Sequence, residues 1–404
     1  MNNSTKPGEK MKSREEYTNN LSIVNTSGVF VNFISELYSM NKTAEKIVHN
    51  FNAGPSILPK PVFEEASRSI IDFNDTGLSI LEIGHRTQLF QDVIDEAIAL
   101  IKELMLLDDE HEVLFLHGGA SSQFFQMPMN LLHDDAKAAY TDTGVWAAKA
   151  IKEAALYGNV DVVCSSKEQN YNNLPKSFHV DPASAYLHLT TNNTIYGTQW
   201  GDLSLFYNKG VPLVADMSSD ILSRVLDFNR FELIYAGAQK NIGAAGVNLV
   251  IVNKKCLGKV DRKIPSMLDY KNHIEAGSLF NTPPVFAIYV CLLTLRWLKS
   301  IGGVATIEKR NDQKAVLLYD TIDASPLFNG TVAKEDRSKM NVCYTMENTD
   351  LEKEFLSLCK EEGMIGVKGH RSAGGFRVSL YNAVPYESVV AITDLMNYFA
   401  NKKV

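Results

Sequence analysis

A chain of 404 residues that is 45% hydrophobic can bury a large core and is long enough for two domains. A net charge of −7 argues against nonspecific nucleic-acid binding, so any anionic ligand needs a local positive field. The five cysteines (Cys164, Cys256, Cys291, Cys343, Cys359) are scattered and never form C-x-x-C, which fits free thiols in a reducing cytoplasm.

In chain order, residues 1–48 read as an N-terminal extension. Met1–Asn20 is polar, and the apolar run Val29–Ile34 is too short and too interrupted for a signal-peptide core. Helix-period segments near 88–107, 121–132 and 145–157 then alternate with apolar runs at Glu112–His117, Ala185–Leu189, Gly210–Asp216, Leu233–Ala238 and Asn248–Val252. That alternation predicts an α/β fold whose mostly parallel central sheet is covered by helices on both faces. Past about residue 305 the texture changes. A long helix near 303–323, strand runs at Met340–Thr345 and Gly375–Leu380, and helices at 350–362 and 386–401 predict a smaller α+β domain. The expected division is therefore 49–305 and 306–404, with 49–60 a candidate to pack on the smaller part. No apolar run reaches the length of a membrane span, and the nine histidines lack metal-ligand spacing, so neither membrane nor metal is expected.

Three places carry chemistry. Lys240 follows a buried-strand pattern and sits among small residues, Ala236-Gly237-Ala238 before it and Gly243-Ala244 after it. An amine facing a cavity there loses solvation, and desolvation lowers its pKa towards the nucleophilic range. Most lysines at strand ends are surface charges, so Lys240 alone does not decide the matter. Asp216 ends another apolar run, and open α/β sheets bind ligands at that strand edge. It reads equally as a helix N-cap for Met217 onward. Together the two suggest an aldehyde cofactor whose pyridine nitrogen a carboxylate keeps protonated. Gly118-Gly119, between a strand and a helix, lets backbone N–H groups approach a phosphate, although the dinucleotide and P-loop patterns are both absent.

With these residues, the chain resembles the phosphoserine aminotransferase family of fold-type I pyridoxal-phosphate enzymes. The resemblance runs from about Phe51 to the C-terminus through Phe51-Asn52-Ala53-Gly54-Pro55, Glu82-Ile83-Gly84-His85-Arg86, Gly237-Ala238-Gln239-Lys240-Asn241-Ile242-Gly243, Phe280-Asn281-Thr282-Pro283-Pro284 and Lys368-Gly369-His370-Arg371. It implies pyridoxal 5′-phosphate as cofactor and Lys240 as its Schiff-base lysine. It also implies Asp216 on the pyridine nitrogen, Trp146 stacked on the ring, Thr194 beside it, and Gln239 with Ala120 and Ser121 on the phosphate. Several relatives have glycine and arginine where this chain has Ala120 and Ser121, so that contact must rest on N–H groups and a hydroxyl. The family forms homodimers in which Asn281 and Thr282 reach the neighbouring subunit's phosphate. Its substrates are L-glutamate and a phosphorylated 2-oxo acid, 3-phosphohydroxypyruvate, and some relatives also aminate a four-carbon analogue. Both need cations, for which arginine's fork is suited. Arg377 matches the α-carboxylate arginine, while Arg86, His85, His370 and Arg371 match the group at the distal anion. The resemblance begins about ten residues after Met40, so a start there would give the usual family length.

Two rival readings remain. Another fold-type I enzyme, such as a serine-glyoxylate aminotransferase or a cysteine desulfurase, shares the cofactor residues, but no cysteine here lies in a glycine-rich loop near the site. A non-enzymatic α/β binding protein explains the sheet but not the joint occurrence of Asp216, Trp146 and Lys240.

Overall fold

The computed structural model describes residues 47–403. The readings of residues 1–46, including the start at Met40, lie outside them. A two-residue strand β1 (His49–Asn50) is followed by helices Lys60–Ile71 and Gln88–Met105, then β2 (His111–His117), helix Ala120–Leu131, β3 (Lys137–Asp142), helix Val145–Ala154 and β4 (Asn159–Ser165). Next come β5 (Leu187–Thr190), β6 (Leu213–Asp216), β7 (Leu233–Gly237) and β8 (Val247–Asn253). These seven strands form one sheet in the order β2-β8-β7-β6-β5-β3-β4. Only β8 runs antiparallel to its neighbours; the pairings from β7 through β4 are parallel. The expected mostly parallel α/β sheet is therefore present.

Side chains alternate across this sheet with the two-residue period of a strand. Leu187, Leu189, Leu213, Ala215, Ile234 and Ala236 face a core shared with helix Gln88–Met105 and the long apolar helix Val285–Ser300. Phe90, Val93, Ile94, Ala97, Leu100 and Ile101 recur at the helical three-and-four spacing and supply the buried stripe of Gln88–Met105. Tyr140, Val214, Leu233, Tyr235 and Val250 face the opposite core, under helices Ala120–Leu131 and Val145–Ala154. No single described helix is long and apolar enough to cross a membrane.

After helix Gly303–Ala324 come β9 (Asn329–Gly330), β10 (Asn341–Thr345), helix Thr349–Glu361, β11 (Met364–Ile365), β12 (Phe376–Ser379) and helix Tyr386–Lys403. A three-stranded sheet, β12-β10-β9, covers a core in which the rings of Phe328, Tyr344, Phe355 and Phe376 pack together. The first strand belongs here too. β1 pairs in parallel with β11, and Phe51 is fully buried in this core. The chain from Val48 onward forms one compact unit.

Candidate active site

Strands β5 and β6 end level with one another, Thr190 pairing with Asp216, while β7 runs two residues past Tyr235, the partner of Asp216. The cleft opens at this carboxyl edge, as expected for an open α/β sheet. Its walls are Gly119, Ala120, Ser121, Phe124, Trp146, Thr190, Asn192, Thr194, Asp216, Ser218, Ser219, Gln239 and Lys240, around about 520 Å³ of open space.

Lys240 lies three residues past the end of β7. Its Nζ donates to Thr194 Oγ1 at 2.8 Å. Burial lowers its pKa from 10.5 to about 8; Asp216 opposes that shift and Arg377 adds to it. The segment before the first helix lies over this backbone. Ser56 N donates to Gln239 O at 2.9 Å, and Ser56 Oγ to Lys240 O at 2.5 Å. Gly54 has φ +136°, a conformation side chains rarely adopt, and a Cβ there would stand 3.4 Å from Gln239 Cγ.

Asp216 is buried, and burial pushes its carboxyl upward while Ser218 and Lys240 pull it down. Its Oδ1 accepts from Ser218 N at 2.9 Å and Ser218 Oγ at 2.6 Å. Residues 217–223 form a turn and bend rather than a helix, so Asp216 holds a turn and the N-cap reading fails. Both bonds fall on one oxygen, which leaves the other to the cleft.

Gly118 (φ +91°) and Gly119 lead from β2 into the helix that begins at Ala120, and no side chain caps this helix. Its first N–H groups have no intrahelical acceptor, and the helix dipole adds roughly half a positive charge, an arrangement at Ala120 and Ser121 suited to an anion. Asn248 Nδ2 pins the end of β2 by donating to His117 O at 2.8 Å. Two buried donors on the cleft wall, Trp146 Nε1 and Thr190 Oγ1, lack a protein partner. An anion site, an indole wall, a buried carboxylate and a desolvated amine together fit a planar cofactor bearing a phosphate, a ring nitrogen and an aldehyde.

Arg377, on β12, brings the smaller sheet to the cleft. Its Nη1 donates to Thr194 O at 3.2 Å, and its buried Nε has no partner. The structure thus gathers Ala120, Ser121, Trp146, Thr194, Asp216, Gln239 and Lys240 in one cleft, with Arg377 touching it through Thr194. His370 and Arg371 sit on a loop closed by Gly369 N donating to Gly375 O at 2.8 Å, outside the walls named above. His85 is half-buried and Arg86, Asn281 and Thr282 are exposed, none of them on the cleft wall. Thr282 O instead accepts from His117 Nε2 at 2.7 Å.

Sequence reasoning missed Phe124, Thr190, Asn192, Ser218 and Ser219. Thr190 was one residue away: the strand run ending at Leu189 continues to it. Tyr381 had no local signal. Its hydroxyl donates to Ala53 O at 2.9 Å across 328 positions of sequence and accepts from Asn341 Nδ2 at 3.3 Å.

Comparison with known proteins identifies the family. The family model for class-V aminotransferases matches residues 48–392. The phosphoserine aminotransferase of Bacteroides thetaiotaomicron is 54% identical over 87% of this chain and 98% of its own length; that of Flavobacterium johnsoniae is 53% identical over 88% and 99%. Among solved structures, the phosphoserine aminotransferase from Bacillus circulans subsp. alkalophilus superposes with a TM-score of 0.86 at 44% identity, over 89% of this chain and 100% of that one. The phosphoserine aminotransferase with bound PLP from Trichomonas vaginalis gives 0.82 at 31% identity, over 87% and 100%. The chain belongs to the class-V aminotransferases and, within them, to the phosphoserine aminotransferase family.

Proposed function

We propose that this protein is a phosphoserine aminotransferase. It reversibly transfers the amino group of L-glutamate to 3-phosphohydroxypyruvate, giving O-phospho-L-serine and 2-oxoglutarate, a step of serine biosynthesis. The carrying observation is the desolvated Lys240 amine, with Asp216 one strand away and Arg377 arriving from the other sheet. The cofactor is pyridoxal 5′-phosphate, which when bound supplies an electron sink for negative charge at the substrate Cα.

In this reading Lys240 holds the cofactor covalently and then moves the proton at the substrate Cα, a task suited to an amine with a pKa near 8. Asp216 would keep the cofactor's pyridine nitrogen protonated, and Trp146 and Thr194, on the cleft wall, would hold its ring. Ala120, Ser121 and Gln239 take the phosphate. Arg377 orients the α-carboxylate, and His85, Arg86, His370 and Arg371 meet the distal anion.

The remaining assignments call for a homodimer. His85, Arg86, Asn281 and Thr282 stay off this chain's own cleft, and large apolar side chains between residues 60 and 81 are exposed: Phe63 (53%), Ile71 (83%) and Leu81 (64%). In a two-fold assembly Asn281 and Thr282 reach the partner's cofactor phosphate. The division at about residue 305 into two domains rests on the separate cores of the large and small sheets. A cytoplasmic location rests on the five free cysteines.

The test is chemical. After incubation with pyridoxal phosphate and borohydride, a peptide map should find the cofactor on Lys240, and glutamate with 3-phosphohydroxypyruvate should give phosphoserine. Label on another lysine, or activity with glyoxylate but not with the phosphorylated acid, overturns the reading. Running the four-carbon analogue beside it measures the breadth of substrate use.

A further inference from the structure

Lys149 lies one turn after Trp146 on helix Val145–Ala154, on the solvent side of the helix. Its Nζ stands 4.4 Å from the centre of the Trp146 ring. A cation over an indole is held there by the ring quadrupole, so this ammonium stays near the cleft wall. Its positive field also reaches His370, on the loop of the small sheet. That imidazole is held below its ordinary range first by burial, then by the positive fields of Arg377, Arg371 and Lys149. Ser372 N donates to His370 Nδ1 at 3.2 Å, which makes Nδ1 an acceptor and leaves Nε2 to carry the proton.

The fields of Lys149, Arg371 and Arg377, from two distant stretches of chain, therefore meet at His370, and the Trp146 ring ties Lys149 to the cleft wall. Some cations of the chain are matched: Lys137, Lys176, Arg224, Arg262 and Arg296 each have a carboxylate partner. Among the described residues no such ion pair involves Lys149, Arg371 or Arg377. Uncompensated like charges repel one another, and a cleft that concentrates one sign of charge draws in the opposite one. Arg377 is assigned to the α-carboxylate, which leaves Arg371 and Lys149 as the fixed positive charges of this chain for the distal end.

We propose that Lys149 is a specificity residue, whose ammonium favours a doubly charged distal phosphate over the singly charged distal carboxylate of glutamate. This role rests on the cleft being the phosphoserine aminotransferase site. A phosphate monoester carries about −1.5 to −2 near neutral pH and has three acceptor oxygens, so it gains more than a carboxylate from an added point charge. The position suits a lysine: an exposed, flexible stem anchored on an indole delivers a compact charge without the planar fork that a bidentate contact needs.

The test compares KM values for phosphoserine and glutamate in the wild-type holoenzyme, Lys149→Met and Lys149→Arg. Lys149→Met should raise KM for phosphoserine about fivefold, the scale of a partly exposed ion pair. Glutamate should lose about twofold or less, kcat should move little, and Lys149→Arg should recover most of the discrimination. The His370 titration followed by NMR should also shift upward in Lys149→Met. Equal changes in both KM values, or an unmoved His370 titration, in an active enzyme overturn this role alone. A wild type that turns over neither substrate overturns the reading of the cleft, and this role with it.

Discussion

Arg377 and Asp216 bias the Lys240 amine in opposite directions, so removing each should move its titration oppositely. At pH 7 an amine with a pKa of about 8 is about 9% neutral, whereas one at 10.5 is about 0.03% neutral. The cleft therefore raises the reactive fraction roughly 300-fold. Only the neutral amine bonds an aldehyde, so cofactor capture by the apoprotein should rise about tenfold per pH unit and level off above about pH 8. Asp216→Asn should move that midpoint down and Arg377→Gln should move it up. The assay is stopped-flow absorbance on mixing apoprotein with pyridoxal phosphate from pH 6 to 10. A wild-type midpoint near 10.5, or shifts of the same sign in both variants, would refute the electrostatic account. The same separation has a stability consequence. The folded state binds fewer protons at Lys240 than the unfolded chain between about pH 8 and 10.5. Apoprotein stability should therefore rise with pH through that window, by at most about 3 kcal/mol. Lys240 as a whole residue is only half-buried, which reduces that gain. Lys240→Met should lack the rise in pH-dependent urea denaturation.

Arg86→Ala should weaken phosphoserine and glutamate by about ten- to a hundredfold, the worth of a charged hydrogen bond, and alanine little; equal losses in steady-state assays place Arg86 at the α-carboxylate or outside the site. Mixing a Lys240→Ala chain with an Asn281→Ala/Thr282→Ala chain should restore partial activity, because one of the two heterodimer sites is then wild-type throughout. No recovery despite proven subunit exchange would put the loop on its own subunit's site. A chain starting at Met40 should match the full one in melting temperature and activity, and a large loss would give the extension a structural role. Lys314 is buried and donates to Leu380 O, Tyr381 O and Val384 O at 3.0, 2.8 and 3.3 Å. Lys314→Met should cost about 2 kcal/mol in urea denaturation by stranding those acceptors; an unchanged midpoint would mean that water replaces the amine.

The parts of the site legible in the sequence are those built within one strand-to-loop junction. Lys240 after β7, Asp216 at the end of β6 and the Gly118-Gly119 turn each carry their signal in a few neighbouring residues. Local patterning also locates the helices at 88–105 and 303–324, whose apolar spacing records the cores they face. What stayed hidden depends on long-range closure. Arg377 reaches Thr194 across 183 positions, and no periodicity reports that meeting. The N-cap reading of Asp216 failed because its Ser218 bonds satisfy a turn as well as they would a helix start. His85, Arg86, Asn281 and Thr282 were recognisable only by family resemblance, since nothing local sets them apart from surface residues.

The strap over Lys240 has a consequence for how the protein is made. His49 leaves the ribosome first, yet its strand partner Met364 follows 315 residues later. At roughly 5–20 residues per second that is a wait of about 15–60 s. Throughout it Phe51 has no core to enter, and Ser56 has no anchored segment holding it against the Lys240 backbone. The large sheet and its lysine are complete by Asn253, well before Met364 is added. The roof of the cleft is thus a late event in biogenesis, and a nascent chain halted before Met364 carries the reactive amine beneath an unfinished enclosure.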